Sequence, residues 1–431
     1  IGKDDLLVIS PKEEKVNDIM ELAKEKEGEE NYRSKFYNIL YYRNIIEESG
    51  INFDGNKVYN DLQKDITAQN LIDKTPVPEE VEDVLRDYQK KGYYWLRFLN
   101  KYHFGGILAD DMGLGKTLQT LTLLKSIDTE IPSLVICPRT LIYNWKEEVN
   151  KFFEGMDCLV YYGTPSEREE MIPDFNKYDV IVTSYSIISR DWEDLIKKDI
   201  KFNYCILDEA QHIKNHKTKR AKAVKRIQAK KRLALTGTPL ENSIQELWSI
   251  FDFLMNGYLG NYTSFRKNYY NPIKKEDDEI KIQKLKNRVA PFILRRKKEE
   301  VLKELPEKST TIQTVDMTKL QEDSYQVVLD KVRGNLMQTI KEKGFNRSHI
   351  NVLAALTKLR QICDHPALVL GEKGMKQDSG KMDTLMELVD DGLGSERKLI
   401  VFSQFVKMLK LIREKFDDKG INYEYLDGST R

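Results

Sequence analysis

The stretch "ILADDMGLGKTLQTL", residues 107–121, is the part of the sequence from which the fold is most directly predicted. Its apolar start is typical of a buried strand and its glycine-rich middle of a tight turn. The leucines at positions 118, 121 and 124 recur at helical spacing. A strand, a glycine-rich loop and a helix in this order favour phosphate binding, because backbone N–H groups and the helix N-terminus face the anion.

The loop departs from the G-x-x-x-x-G-K-[ST] pattern at its first glycine, where Asp110 stands. Its two remaining glycines can adopt the unusual dihedral angles and close backbone approach that a phosphate requires. Lys116 is placed to reach the β- and γ-phosphates, and Thr117 to offer a hydroxyl to Mg²⁺. The predicted nucleotide-contacting residues of the loop are Gly113, Leu114, Gly115, Lys116, Thr117 and Leu118.

Two aspartates, Asp110 and Asp111, precede these glycines. Because their negative charge would repel an anion, we do not expect them to bind it. We expect them to cap the turn, or to bond across to "LTGTP" (235–239) and couple the nucleotide state to movement.

Short apolar runs alternate with helical stretches between residues 85 and 255. Proline, glycine, aspartate or threonine bounds each run, and the connections are long enough for crossover helices. This pattern predicts an α/β fold with an open parallel sheet and helices on both faces. The predicted strands are residues 105–109, 133–137, 158–162, 179–183, 204–208 and 232–236.

An acidic pair follows one of these strands in "YCILDEAQHIKN" (204–215). Asp208 is predicted to hold Mg²⁺, directly or through water, and Glu209 to orient and deprotonate the attacking water. Gln211 and His212 are predicted to sense the γ-phosphate. With Lys116, the two acids form the predicted catalytic set, because phosphoryl transfer depends mainly on positioning and charge stabilisation.

Composition limits the broad class of the protein. Lysine and arginine number 70 against 69 for aspartate and glutamate, so any nucleic-acid surface must be local. The four scattered cysteines are typical of a reducing compartment, and no apolar run is long enough for a membrane span. We therefore expect an intracellular protein without a membrane partner.

Nine further stretches resemble, in their order, the motifs of one family. They are "LRDYQKKGYYWL" (85–96), "ICPRTLIYNW" (136–145), "IVTSYSII" (181–188), "LALTGTPLENSIQELWSIFDFL" (233–254), "FILRR" (292–296), "LRQICDHPALV" (359–369), "SGK" (379–381), "KLIVFSQF" (398–405) and "LDGST" (426–430). Over residues 85–431 the chain resembles the Swi/Snf-type chromatin-remodelling ATPases of the superfamily-2 helicase-like proteins. That family often replaces the first loop glycine, but it normally has glutamate where Asp111 stands.

The resemblance implies two RecA-like lobes with helical insertions, and ATP with Mg²⁺ in the cleft between them. Gln89 would contact the adenine. The expected parts are a helical accessory segment (1–84), lobe 1 (85–255), a helical protrusion and hinge (256–304) and the start of an incomplete lobe 2 (305–431). In lobe 2, residues 398–402 and 422–428 are predicted to begin a second set of strands. The basic run at 295–298 is expected to act as a hinge that pairs with Glu299 and Glu300.

The resemblance also implies translocation along double-stranded DNA without strand separation. Hydroxyl, amide and basic side chains at strand ends suit phosphate oxygens, which dominate such binding. The predicted DNA contacts are Arg139, Thr140, Asn144, Trp145, Lys146, Thr183, Ser184 and Tyr185 in lobe 1, and Lys381, Ser403 and Gln404 in lobe 2.

Two alternatives stay open at this point: a strand-separating helicase or restriction-type motor, and a nucleotide-gated binding platform for an RNA polymerase or repair partner. The protein cargo, an RNA polymerase or another DNA-bound protein, is not named by the sequence. We expect a monomer, cytoplasmic at the nucleoid in a bacterium, which the composition favours, or nuclear in a eukaryote. The family's arginine fingers would lie after Arg431, so we expect this chain to bind ATP but hydrolyse it weakly, since such a finger contributes about 10³–10⁵ in rate.

Overall fold

The computed structural model describes residues 75–237, 244–303, 309–343, 349–371, 379–394 and 398–430. The chain divides into two compact units, Ile1–Glu307 and Lys308–Arg431. Most of the expected accessory segment, residues 1–74, lies outside the described residues, and the division into four parts stays a prediction.

The first unit is built on one seven-stranded sheet in which every pairing is parallel. Its order is β3-β4-β2-β5-β6-β1-β7. The strands are β1 (Gly106–Leu108), β2 (Ser133–Cys137), β3 (Cys158–Val160), β4 (Val180–Ser184), β5 (Phe202–Leu207), β6 (Ala229–Leu235) and β7 (Ile293–Leu294). The predicted parallel α/β sheet is therefore confirmed, and all six predicted runs lie on strands. The sequence did not predict β7, which is only two residues long.

Helices connect and flank these strands. They are α1 (Glu79–Glu82), α2 (Asp87–Lys101), α3 (Lys116–Lys125), α4 (Ile142–Phe152), α5 (Pro165–Met171), α6 (Tyr185–Lys197), α7 (Lys219–Arg226), α8 (Ile244–Leu254), α9 (Tyr262–Phe265), α10 (Asn271–Glu276), α11 (Glu279–Val289) and α12 (Lys298–Val301). Side chains of Thr164, Ser184 and Thr218 cap α5, α6 and α7 by accepting from the N–H three residues on. Such caps satisfy N–H groups that a helix start leaves without partners.

The core lies around the central strands. β1, β2, β4 and β5 are buried along their whole length, which explains their continuous apolar sequence, since helices cover both faces of such a sheet. Residues 256–292 contribute to the same core: Phe292 packs edge-on against Phe104 at 5.4 Å and against Tyr258 at 5.3 Å between ring centroids. The protruding segment is thus fastened to the sheet by aromatic packing.

The parallel arrangement brings the C-terminal ends of β1, β5 and β6 to one edge of the sheet. The N–H of Thr236, just after β6, donates to the carbonyl of Leu108 at 3.1 Å, and that of Asp208 to the carbonyl of Ile136 at 2.9 Å. Since ligands of open α/β sheets bind outside the carboxyl ends of the strands, this edge is where a site is expected.

The second unit is helical in its described residues. Its helices are α13 (Lys319–Lys343), α14 (His349–Asp364), α15 (Ala367–Leu370), α16 (Gly380–Gly394) and α17 (Val406–Asp418). Residues 398–402 and 422–428 form no strand there, so that prediction is wrong for this structure. An apolar run can predict an extended segment, but a strand also requires a hydrogen-bonded neighbour. Ile400 and Phe402 are exposed rather than packed.

Within the described residues, no helix combines the length and the hydropathy that crossing a membrane requires.

Candidate nucleotide site

The glycine-rich loop has the backbone conformation that its sequence predicts. Gly113 and Gly115 have φ values of 84° and 72°, in the left-handed region. Gly115 immediately precedes α3, which has no side-chain cap. The first N–H groups of this helix therefore remain available to an anion, in contrast to the capped starts of α5, α6 and α7.

Lys116 lies folded over the loop. Its ammonium donates to the carbonyl of Asp110 at 2.7 Å and to that of Asp111 at 3.3 Å. Burial lowers the pKa of Lys116, and nearby carboxylates, Glu209 first among them, oppose that shift. A phosphate would offer this ammonium charged oxygens in place of neutral carbonyl oxygens.

The acidic pair follows β5 with a sharp change of backbone direction. Asp208 is buried; its Oδ2 accepts from Nε1 of Trp145 at 2.9 Å and its Oδ1 from the N–H of Glu209 at 2.9 Å. Burial raises the pKa of Asp208, while the Trp145 hydrogen bond acts in the opposite direction. Glu209 has a φ of 52°, and a non-glycine residue in this region often marks a functional position.

Gln211 links the acidic pair to the end of β6. Its Nε2 donates to Oε2 of Glu209 at 2.7 Å, and its Oε1 accepts from the hydroxyl of Thr236 at 3.1 Å. Nδ1 of the neighbouring His212 lies 3.2 Å from Nη1 of Arg220. Burial lowers the pKa of His212, and the charge of Arg220 adds to this. Gln211 thus joins Glu209 to Thr236, whereas the His212 side chain contacts Arg220.

The two aspartates of the loop do not bond to "LTGTP" as far as that segment is described. The carboxylate of Asp110 is fully buried and forms an ion pair with the guanidinium of Arg296, whose Nε donates at 2.9 Å. It also accepts from Nε2 of Gln119 at 3.3 Å. Oδ2 of Asp111 accepts from the N–H of Lys298 at 3.0 Å. Both carboxylates therefore tie the loop to residues 296–298, and Arg296 pairs with Asp110 rather than with the acids at 299–300.

Residues 294–298 are a wall of the site that the sequence did not predict. The N–H of Ala109 donates to the carbonyl of Leu294 at 2.7 Å, and that of Asp111 to the carbonyl of Arg296 at 3.0 Å. These bonds continue the β1–β7 pairing past the strand ends. One signal was present: an aspartate at the end of an apolar run requires a buried cationic partner, and "FILRR" offers one directly after another apolar run.

An open groove of about 670 Å³ lies between the start of α2 and the end of α12. Its lining residues are Arg86, Asp87, Tyr88, Lys91, Val301 and Lys303. Gln89, at the start of α2, donates from Nε2 to the carbonyl of Leu114 at 3.3 Å, so α2 is fastened to the loop. Its contact with an adenine stays a prediction.

The sequence pattern of the SNF2-related domain family matches residues 88–368, well over half of the chain. The chain belongs to the SNF2-related domain family. The match contains the loop, the acidic pair and the residues at 294–298 that hold the loop.

Similar proteins are found in several organisms. YwqA of Bacillus subtilis, described as a candidate ATP-dependent helicase/translocase, is 34% identical over 392 residues, 88% of this chain and 42% of that protein. TATA-binding protein-associated factor 172 of Homo sapiens is 36% identical over 428 residues, 83% of this chain and 23% of that protein. The solved Sulfolobus solfataricus SWI2/SNF2 ATPase core in complex with dsDNA is 41% identical, with a TM-score of 0.49 over 78% of this chain and 70% of that one. The chain spans less than half of the two curated relatives.

The DNA contacts predicted for this SNF2-related chain divide into two groups in the first unit. Arg139, Thr140, Asn144 and Lys146 are exposed around the start of α4, and their role stays a prediction. Trp145, Thr183, Ser184 and Tyr185 are buried.

The four buried side chains are removed from the set of predicted DNA contacts, because each is occupied inside the protein. Trp145 bonds to Asp208, the Thr183 hydroxyl donates to the carbonyl of Tyr161 at 2.8 Å, and Ser184 caps α6. The hydroxyl of Tyr185 donates to the carbonyl of Asp208 at 2.7 Å. Motif position alone does not show whether a side chain points outward.

In the second unit, the predicted DNA contacts have partners within the unit. Lys381 pairs with Asp364 at 2.7 Å and remains half exposed. Oε1 of Gln404 accepts from Nη2 of Arg360 at 2.7 Å, and Oγ of Ser403 accepts from the N–H of Phe405 at 3.2 Å. Their contact with DNA stays a prediction.

Proposed function

We propose that this chain is the ATP-hydrolysing part of a motor that moves along double-stranded DNA and remodels DNA–protein complexes. The observation that carries the proposal is the meeting, at one sheet edge, of the glycine-rich loop and an acidic pair, of which Asp208 is buried. The family of the chain supports it, as does the helicase/translocase description of the Bacillus subtilis relative.

Magnesium fits the residues at this edge. The donors are oxygens only, the Thr117 hydroxyl and the Asp208 carboxylate, and oxygen ligands are those that Mg²⁺ prefers. Within the described ranges, no cluster of three or more histidine, cysteine or acidic side chains is placed to hold a metal. Mg²⁺ does not need such a cluster, because it is usually held by one or two protein groups together with phosphates rather than by a full protein cage. When bound, the ion would neutralise charge on the phosphates.

The side chains of the site have distinct tasks in this proposal. Lys116 exchanges its carbonyl partners for phosphate oxygens. Trp145 donates a hydrogen bond to the buried Asp208 carboxylate, which favours the ionised form and opposes the effect of burial. Glu209, held by Gln211, orients the attacking water and accepts its proton. Through Thr236, the same network reaches the end of β6, so a change at the γ-phosphate is transmitted to that strand end.

Double-stranded DNA is the proposed track. The exposed Arg139, Thr140, Asn144 and Lys146 offer cationic, hydroxyl and amide groups to phosphate oxygens. The solved Sulfolobus relative was determined with dsDNA. An RNA polymerase or another DNA-bound protein remains the proposed cargo.

The test is an ATPase assay on the full-length protein with double-stranded DNA, single-stranded DNA or RNA. We expect double-stranded DNA to stimulate hydrolysis most, and Glu209→Gln to abolish the stimulated rate while ATP binding remains. Absence of stimulation by any nucleic acid would contradict the proposal.

Two further outcomes would favour the alternatives. Efficient displacement of a labelled strand would indicate a strand-separating helicase. Cellular function that survives Glu209→Gln unchanged would indicate a nucleotide-gated binding platform.

A further inference from the structure

Lys298, at the start of α12, lies against the phosphate-binding loop although it is far from it in sequence. A Cβ built on Gly113 would lie 3.2 Å from Nζ and 3.3 Å from Cε of Lys298. The end of this side chain is therefore in contact with the glycine whose φ of 84° shapes the loop.

The backbone beneath this lysine is held in place. Its N–H donates to Oδ2 of Asp111 at 3.0 Å, two residues after Arg296 has paired with Asp110. Both aspartates of the loop thus act to position Lys298. The contact therefore depends on a backbone hydrogen bond and an ion pair that fix the position of Lys298, and not on chance proximity of a surface side chain.

The ammonium of Lys298 has no competing partner among the residues that the structure describes. The residue is exposed, and within the described residues no carboxylate forms an ion pair with it. Some other lysines of the unit do have a counter-ion: Lys225 pairs with Asp252 at 2.8 Å, and Lys125 with Glu80 at 3.2 Å. A cation held beside an anion-binding loop without its own counter-ion is suited to an incoming anion.

The charges of the site also favour a further cation. Four carboxylates act electrostatically on Lys116: Glu209, Asp110, Asp208 and Asp111. Lys116 and Arg296 supply two positive charges against these four, and the proposed Mg²⁺ would add two more. A triphosphate brought to this edge adds further negative charge, so a second ammonium at the loop offsets part of the remaining repulsion.

We propose that Lys298 is a second phosphate-contacting cation of the nucleotide site, supplied by α12 and directed at the polyphosphate chain of ATP or ADP. The inference rests on the proposed function, since it assigns a further contact in the same nucleotide site. It also gives the loop–α12 contact a role: Asp111 holds the start of α12 against the loop, and this places the Lys298 ammonium where polyphosphate would bind.

The test uses fluorescent N-methylanthraniloyl ATP and ADP, titrated onto the full chain and onto Lys298→Ala, Lys298→Arg, Lys297→Ala and Lys116→Ala. We expect Lys298→Ala to weaken binding of both nucleotides by about five- to tenfold, as for loss of a charged hydrogen bond at a partly solvated site. Lys298→Arg should restore most of the affinity. Lys297→Ala, which alters the exposed neighbouring lysine, should have little effect on nucleotide affinity. Rising salt concentration should reduce the difference in affinity between Lys298→Ala and the wild-type chain.

The outcomes separate the two proposals. If Lys116→Ala abolishes binding while Lys298→Ala equals Lys297→Ala, the inference is wrong and the nucleotide site stands. If the unchanged chain binds neither nucleotide, both proposals fail. Unchanged tryptophan fluorescence shows that a variant has kept the fold of the first unit, because all four tryptophans lie between residues 95 and 248.

Discussion

Asp110 shows how a single residue can appear unsuited to a site and still build it. A negative charge in a phosphate-binding loop would repel the anion, yet this carboxylate is buried and paired with Arg296. The pair aligns the loop with β7, and Gln119 at the first turns of α3 completes the carboxylate's hydrogen bonds. In this chain, the position of the missing first glycine has become a structural anchor.

Replacing Asp110 should therefore destabilise the first unit. Asp110→Asn leaves the guanidinium of Arg296, only 13% exposed, without its counter-ion, and loss of one member of a buried pair costs about 3–5 kcal/mol. The measurement is urea unfolding without nucleotide, followed by tryptophan fluorescence. Asp111→Asn is the matched control and should cost less than about 1 kcal/mol, because its carboxylate is less buried and accepts from one backbone N–H.

A double-mutant cycle with Arg296→Gln sharpens this prediction. The double variant should lose clearly less stability than the sum of the two single variants, since each single change removes the same interaction. Additive losses, or equal losses for Asp110→Asn and Asp111→Asn, would show that the pair does not anchor the loop.

The loop and α3 act together as one element. Gly115 combines a left-handed φ of 72° with a close approach: a Cβ there would lie 2.3 Å from Nε2 of Gln89. Gly155 has nearly the same φ, 73°, but a Cβ would meet nothing within 4 Å. The chain thus contains a control in which backbone strain occurs without the steric conflict.

Replacing either glycine with alanine should destabilise the protein, but only the Gly115 variant should also bind nucleotide more weakly. Gly155→Ala should cost about 1–2 kcal/mol of stability through backbone strain alone and leave nucleotide binding unchanged. Gly115→Ala should show the same strain and also displace Gln89 from the loop, weakening binding of fluorescent ATP by about tenfold, equivalent to about 1.4 kcal/mol. Equal binding by the two variants would mean that the Gln89 contact does not support the site.

At the scale of the whole molecule, the charge balance of 70 against 69 residues gives no overall attraction to DNA. The proposed DNA surface therefore depends on a few placed cations. Lys146, on the first turns of α4, and Lys151, near the last turn of the same helix, are both exposed, and Lys151 also lies over the ring of Phe152 at 4.9 Å.

The salt dependence of DNA binding distinguishes these two lysines. The logarithm of the DNA association constant falls linearly with the logarithm of the salt concentration. Lys146→Ala should reduce the steepness of this line by about 0.9, the value for one phosphate contact, and should weaken binding to all DNA sequences alike. Lys151→Ala, with the same loss of charge on the same helix, should leave the slope unchanged. A slope that responds equally to both lysines would assign the effect to total charge instead of to a DNA surface.

The sequence by itself determined the parallel sheet and the loop conformation, because both follow from local patterns: apolar runs for buried strands, glycines for left-handed dihedral angles. It also predicted that the acids after β5 share an edge with the loop, since parallel strands end together. Only the tertiary structure decided what the aspartates of the loop and Trp145 bind, and that 398–402 forms no strand. These depend on partners distant in the chain, such as Arg296 for Asp110 and Asp208 for Trp145. A local sequence pattern specifies the backbone conformation. The burial of a side chain and the identity of its partner depend on the distant residues that pack against it.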